Sequence, residues 1–151
     1  MAVAVVALAA SSCSEQNFSD DKYQSKLVGT WSLESIKYDV KAGGTTVNST
    51  ISIPGPETEL KELIYTFYPE GSCSCSITYT DDTTVVNEES YEVRDGDLCM
   101  QVLGDDGTST EVVELEIKRV TNKELVLEME SDEDMDGVLI SSDVKLYFRK
   151  K

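Results

Sequence analysis

Residues 110–130 read TEVVELEIKRVTNKELVLEME, and this stretch decides the fold class. Apolar side chains stand at every second position in both halves, which the turn-forming residues 121–123 separate. Alternation with period two is typical of a β-strand that buries one face and exposes the other. The stretch therefore predicts two antiparallel strands joined by a short turn. The inward positions of this pair are Val113, Leu115, Ile117, Leu125, Leu127 and Met129.

The same alternation continues toward both ends of the chain, with turn residues between successive segments. The predicted strands span residues 27–38, 63–68, 73–80, 89–94, 97–103, 110–120, 124–130 and 138–150. Asp95-Gly96 is a strong signal for a two-residue hairpin turn. The apolar parity of the first strand changes at Ile36, which predicts a bulge near Glu34 or Ser35.

Three segments lack this alternation and are predicted to be irregular or helical. Residues 39–50, which contain Gly43-Gly44, are predicted to form a loop. Pro56 begins a predicted short helix that runs through Glu62, since proline suits the first helical turn. Residues 131–137 are predicted to form an acidic loop.

About eight antiparallel strands with hairpin-length turns predict an all-β, up-and-down barrel over residues 27–151. Closing the sheet removes the exposed edges that an open sheet would leave. An eight-stranded barrel has an interior wide enough for packed side chains or for one small ligand. A Greek-key sandwich is the alternative architecture, and the short turns favour the barrel.

Composition excludes several classes of function. The 151 residues include 13 basic and 29 acidic side chains and no histidine, for a net charge of −16. Such an acidic surface repels nucleic acid. The absence of histidine excludes Ser-His-Asp and Cys-His mechanisms and histidine-ligated zinc. We therefore expect a globular domain that is not an enzyme, with no nucleic acid partner.

The N-terminal residues have the pattern of an export signal. Residues 1–10 are apolar but too few to cross a bilayer, and small residues precede Cys13. This arrangement resembles a bacterial lipobox, which implies a signal peptide at 1–12 and a lipidated Cys13 followed by a polar tether through residue 26. The resemblance implies a lipoprotein of the outer membrane or cell surface of a Gram-negative bacterium. An ordinary signal peptide and a buried N-terminal strand are the alternatives.

The first and last predicted strands carry a family resemblance. Gly29-Thr30-Trp31 is similar to the Gly-x-Trp signature of lipocalins, and Arg149 is similar to the arginine that stacks on that tryptophan. More specifically, the chain resembles the lipocalin-like lipoproteins of the Bacteroidetes. The resemblance implies that Gly29, Trp31 and Arg149 close one barrel end through a cation–π contact. Trp31 as an ordinary core residue is the alternative. The long segment 39–62 and the internal cysteines depart from the family pattern.

The resemblance implies a lipid-anchored binding protein that holds a small apolar ligand in the barrel. The alternative is a surface interaction or structural β-domain with a filled core and no ligand. The expected partners are the membrane, through the anchor, and a small hydrophobic molecule, and we expect a monomer. The side chains that would line a ligand cavity are Tyr65, Phe67, Tyr79, Tyr91, Met100 and Met129, although the same residues would also fill a small barrel.

The acidic segment also has the spacing of a calcium loop. Asp132, Asp134 and Asp136 occupy positions 1, 3 and 5, with Asp143 at position 12. A solvated hairpin without metal is the alternative, and no other cofactor is expected. Of the remaining cysteines, Cys73 and Cys75 share one strand face and bond poorly to each other, so free, partly buried thiols are predicted for these two and for Cys99.

Overall fold

The computed structural model describes residues 22–104 and 106–151. This part of the chain forms nine antiparallel strands. In chain order they are β1 (Gly29–Ala42), β2 (Thr45–Ser52), β3 (Leu60–Phe67), β4 (Ser72–Tyr79), β5 (Thr84–Arg94), β6 (Asp97–Leu103), β7 (Thr110–Val120), β8 (Glu124–Met135) and β9 (Val138–Lys150). The predicted signal peptide (1–12), the lipidated Cys13 and most of the predicted tether lie outside the described residues.

Eight of the strands form a closed barrel. From β3 to β9 each strand pairs with the next one along the chain, and β1 pairs with both β3 and β9. Trp31, for example, lies opposite Tyr65 of β3 and Lys150 of β9. The predicted all-β, eight-stranded, up-and-down barrel is confirmed.

The first strand bends halfway along its length. Its register with β9 shifts between Leu33 and Ser35, which confirms the predicted bulge. Before the bulge β1 pairs with β3, and beyond it residues 35–42 pair with β2 instead. The bulge therefore lets one strand serve both the barrel and a hairpin that extends past it.

The prediction of a loop at residues 39–50 is wrong. The segment forms the last four residues of β1 and most of β2, joined by Gly43-Gly44 at φ values of +54° and +82°. The added backbone pairing with β9, which lies far away in the chain, stabilises this ribbon. The alternation of apolar and polar side chains is weak in β2, because most of its side chains are exposed rather than packed against the core.

Two further segments differ from their predictions. Residues 54–59 form turns and bends, and β3 begins at Leu60, so the helix predicted from Pro56 through Glu62 is wrong. Likewise β8 continues to Met135 and turns at Asp136-Gly137, where both residues have positive φ. The predicted acidic loop is instead the tip of a long hairpin.

The core fills one end of the barrel, here called the closed end. Residues 22–27 are helical there, and Leu27 and Trp31 are fully buried. Tyr23 also packs against this core, so the folded domain includes residues ahead of Leu27. The turns at 68–71, 95–96 and 121–123 share the closed end, because successive antiparallel strands turn at alternate ends. The turns at 80–83, 104–109 and 136–137 lie at the opposite, open end.

Candidate ligand-binding site

The inward-facing side chains become more exposed toward the open end. On β8, Leu125 and Leu127 are 0% and 2% exposed, whereas Met129 on the same face is 44% exposed. On β5, Tyr91 is 6% exposed but Val85 is 41% exposed. Both strands run between the two ends, so the barrel is packed at the closed end and opens at the other.

The inward apolar residues of the open half form a lining here called the open-end cup. Its members come one from each of the eight barrel strands and, apart from Val85 and Met129, are partly buried. They are Ile36, Leu63, Ile77, Val85, Val102, Val113, Met129 and Val144. Cross-strand registers confirm their shared face: Leu63 pairs with Ile77, Ile77 with Val85, and Met129 with Val144.

The structure divides the six predicted cavity residues into two groups. Phe67, Tyr91 and Met100 are buried in the core of the barrel and do not line the cup. The Phe67 and Tyr91 rings meet edge to face at 4.9 Å, and the Tyr91 hydroxyl donates a 2.7 Å hydrogen bond to the Tyr68 carbonyl. Tyr65 and Tyr79 are partly buried, and Met129 is exposed in the cup.

Sequence reasoning missed an acidic residue inside the barrel. Glu89 on β5 lies opposite Cys73 of β4 and shares the inward parity of Tyr91. Burial is the main reason that the pKa values of Tyr65, Cys73 and Cys75 are raised, and the charge of Glu89 raises them further, which places its carboxylate near them. The alternation along β5 carried the signal: Glu89 is two residues before the inward Tyr91.

The Glu89 carboxylate is poorly satisfied. The side chain is half-buried, and its Oε2 atom is shielded from solvent with no hydrogen-bond partner among the described residues. Burial raises the pKa of Glu89 above its usual range. A carboxylate left without a donor in such surroundings costs free energy, which a ligand that donates a hydrogen bond would recover.

Burial favours the neutral form of the three cysteine thiols in the described part of the chain. Cys73, Cys75 and Cys99 are free and buried, so the predicted free state is confirmed and the burial is more complete than expected. Burial raises the pKa of Cys73 to about 12 and also raises that of Cys75. The Tyr65 hydroxyl lies beside the Cys75 thiol, since each group shifts the pKa of the other and the two residues are opposite each other in the register. Neutral thiols are poor nucleophiles and poor metal ligands.

At the closed end, the residue over the tryptophan ring differs from the one expected. Trp31 Nε1 donates a 2.7 Å hydrogen bond to the Leu27 carbonyl, and Lys150 Nζ lies 5.2 Å from the ring centre. Arg149 does not stack on Trp31; its Nε donates to Glu34 Oε1 at 2.6 Å on the outer surface. Lys150 is directly opposite Trp31 in the register, whereas Arg149 has the outward parity.

Gly29 has a steric role at the same end. Its φ is +134°, and a Cβ added there would lie 2.7 Å from Lys150 Cε. A side chain at this position would therefore push Lys150 away from the Trp31 ring.

The four carboxylates of the predicted calcium loop do not converge. Asp134 Oδ1 accepts a 2.8 Å hydrogen bond from the Gly137 amide and so caps the turn that contains Asp136. Asp132 and Asp143 line an outer groove of about 420 Å³. A calcium loop needs an irregular backbone that gathers its ligands, and the hairpin spreads them along two strands.

A separate cluster of three carboxylate side chains lies on this outer face. Within the described part of the chain, ligand atoms of Glu128, Glu130 and Asp143 lie within 4.8 Å of one another. Lysines already neutralise Glu128, since Lys118 Nζ is 2.9 Å and Lys145 Nζ is 3.4 Å from its oxygens. The hydrogen bond from Lys118 lowers the pKa of Glu128, while burial and then Glu128 itself raise the pKa of Asp143.

The fold resembles solved structures. A lipocalin-like protein from Bacteroides uniformis is 15% identical with a TM-score of 0.54, and the match covers 83% of this chain and 99% of that one. An uncharacterized protein from Bacteroides eggerthii is 14% identical with a TM-score of 0.48, and the match covers 83% of this chain and 99% of that one. A deswapped triple mutant of bovine odorant binding protein is 15% identical with a TM-score of 0.42, and the match covers 83% of this chain and 74% of that one. No family model and no curated protein matches the sequence.

The closed barrel and its likeness to the Bacteroides uniformis protein show that this chain has a lipocalin-like β-barrel fold. Its particular form carries the additional β1–β2 ribbon, a lysine over the closing tryptophan and the open-end cup. Among the described residues no helix has the length and apolar character needed to cross a membrane.

Proposed function

We propose that this protein binds a small apolar molecule in the open-end cup and acts as a binding protein rather than an enzyme. The observation that carries the proposal is the rise in exposure along the inward faces, from Leu127 at 2% to Met129 at 44%. Fully burying an apolar side chain stabilises a protein by about 1.5–3 kcal/mol. Apolar side chains left exposed at the mouth of the barrel are therefore available to a ligand.

The state of the groups inside the barrel supports binding over chemistry. Burial keeps the thiols of Cys73 and Cys75 protonated and the Tyr65 hydroxyl neutral, so none is activated as a nucleophile or base. The chain contains no histidine to activate them.

The test uses two adjacent residues that face opposite ways. Val85 belongs to the cup, whereas Val86 faces outward and is 58% exposed. We would titrate the protein with the neutral fluorescent probe N-phenyl-1-naphthylamine and follow the emission increase. Val85→Gln is expected to weaken probe binding about tenfold, because it places an amide in the apolar lining. Val86→Gln, the matched control, is expected to bind as the wild type does.

Two results would contradict this proposal. One is the absence of saturable probe binding to the wild-type protein, and the other is equal weakening by the two substitutions. Either result would favour a structural or surface-interaction domain with no small-molecule ligand.

We also propose that the protein is a lipoprotein of the cell envelope, held at the outer membrane or cell surface of a Gram-negative bacterium through Cys13. The apolar residues 1–10 and the small residues before Cys13 support this proposal. Cys13→Ala is expected to move the protein from the membrane fraction to the soluble fraction, whereas Ser14→Ala is expected to leave it anchored. Retention of the Cys13→Ala variant in membranes would refute the anchor.

A further inference from the structure

We propose that the ligand of the open-end cup carries a cationic amine on an apolar body, and that Glu89 is its counter-charge inside the barrel. This inference rests on the proposed binding function and adds the chemical class of the ligand.

The first argument is the position of Glu89. It faces inward from β5, one alternation step beyond the buried Tyr91 and two steps before the cup residue Val85. Its carboxylate therefore lies below the cup, on the same inner face. An amphiphile whose apolar body occupies the cup would bring its head group to this carboxylate.

The second argument is the unmet hydrogen-bonding capacity of that carboxylate. Glu89 Oε2 is shielded from solvent and has no hydrogen-bond partner among the described residues. Its inner-face neighbours are Tyr65, which is opposite Cys75 in the register, and the thiol of Cys73, and neither donates a hydrogen bond to this oxygen. An alkylammonium group supplies both the charge and the N–H donors that this oxygen lacks, and charge-assisted bonds of this kind are among the stronger ones in proteins.

The third argument is the sign of the charge around the opening. Acidic residues occupy the turns and strand ends at the open end: Glu59, Asp81, Asp82, Asp106 and Glu111. Lys61, which lies near this rim, is already paired with Asp82. In the described part of the chain the one lysine that packs onto an inward-facing ring, Lys150, is at the closed end over Trp31. The opening therefore attracts cations and repels fatty-acid carboxylates.

The experiment compares three ligands with the same chain and different head groups. Octylamine, octanol and octanoate would compete with N-phenyl-1-naphthylamine at neutral pH and physiological ionic strength. We expect octylamine to displace the probe at a concentration about tenfold lower than octanol, and octanoate to be the weakest. Equal displacement by octylamine and octanol would overturn the cationic assignment while leaving the cup as a binding site. No displacement by any of the three would overturn the proposed function itself.

A matched pair of substitutions locates the effect. Glu89→Gln is nearly isosteric. It is expected to bring the concentrations at which octylamine and octanol displace the probe within about twofold of each other, with the concentration for octanol unchanged. Glu88→Gln removes the same charge from the adjacent, exposed position opposite Ser74 and is expected to retain the amine preference. If the two variants lose the preference equally, the effect belongs to the net charge of −16 and the role of Glu89 is refuted. The wild-type comparison decides the ligand class even if Glu89→Gln folds poorly.

Discussion

The Nζ atom of Lys150 lies 5.2 Å from the centre of the Trp31 ring and donates a 3.2 Å hydrogen bond to the Val28 carbonyl. The closed end of the barrel is thus held by a lysine, whereas the sequence resemblance pointed to Arg149. The register explains the difference, because Lys150 is directly opposite Trp31 and Arg149 is opposite the outward-facing Ser32.

Exchanging these two cations for alanine tests the arrangement. Lys150→Ala is expected to lower the free energy of unfolding by about 1–2 kcal/mol, since it removes the cation–π contact and the bond to Val28. Arg149→Ala removes an exposed ion pair with Glu34 and is expected to cost less than about 1 kcal/mol. Urea unfolding followed by circular dichroism measures both values. A larger effect for Arg149 would show that it closes the barrel after all.

Trp31→Phe tests the tryptophan itself. Trp31 is fully buried and its Nε1 donates to the Leu27 carbonyl, so phenylalanine leaves that carbonyl unpaired and creates a small cavity. We expect a loss of about 2–4 kcal/mol in the free energy of unfolding, measured by urea titration. Leu103→Ala, at an exposed outward position, is the control and is expected to change stability by less than about 0.5 kcal/mol. Equal effects of the two changes would contradict the packing role of Trp31.

The outer carboxylates predict a stability change that depends on pH. Burial and Glu128 raise the pKa of Asp143, so its charged form costs stability at neutral pH, and this cost disappears as pH falls through the raised pKa. Asp39, Glu130 and Lys145 lie beside it on β1, β8 and β9, and Lys37, Lys41 and Asp132 also line its groove. We therefore expect Asp143→Asn to stabilise the protein at pH 7 and to match the wild type near pH 4, as measured by urea unfolding.

An aspartate with the opposite shift serves as the control for Asp143. Hydrogen bonds from the Ser109 and Thr108 amides lower the pKa of Asp106 to about 2. Its charged form contributes stability at neutral pH that is lost as pH falls through this lowered value. Asp106→Asn is therefore expected to destabilise the protein at pH 7. Stabilisation by both substitutions would indicate a general effect of net charge.

The buried thiols predict protection from alkylation. Because burial raises the pKa of Cys73 to about 12 and excludes reagents, iodoacetamide at pH 8 is expected to leave Cys73, Cys75 and Cys99 unmodified in the folded protein. In urea all three are expected to react. Mass spectrometry of the Cys13→Ala variant counts these thiols without interference from the N-terminal cysteine. Rapid labelling of the folded protein would contradict their burial.

Local patterns determined much of this protein. Period-two alternation predicted the barrel strands, the Asp95-Gly96 pair predicted the β5–β6 hairpin, and the parity change at Ile36 predicted the bulge in β1. These features depend on neighbouring residues, because turns and strand faces are set within a few positions of the chain. The alternation along β5 also predicts that Glu89 shares the face of Tyr91. Only the closed barrel shows that this face lines the interior, so the position of Glu89 could not be interpreted from the sequence alone.

The tertiary structure decided what depends on distant partners. The β1–β2 ribbon forms because β9 pairs with β1 along residues 140–150, about 100 positions away, and no local signal carries that pairing. The choice of Lys150 over Arg149 depended on the register across the closing strands, where a shift of one residue exchanges the inner and outer faces. The depth to which the core fills the barrel, and hence the open-end cup, also follows from closure, because side chains from eight strands compete there for a single interior.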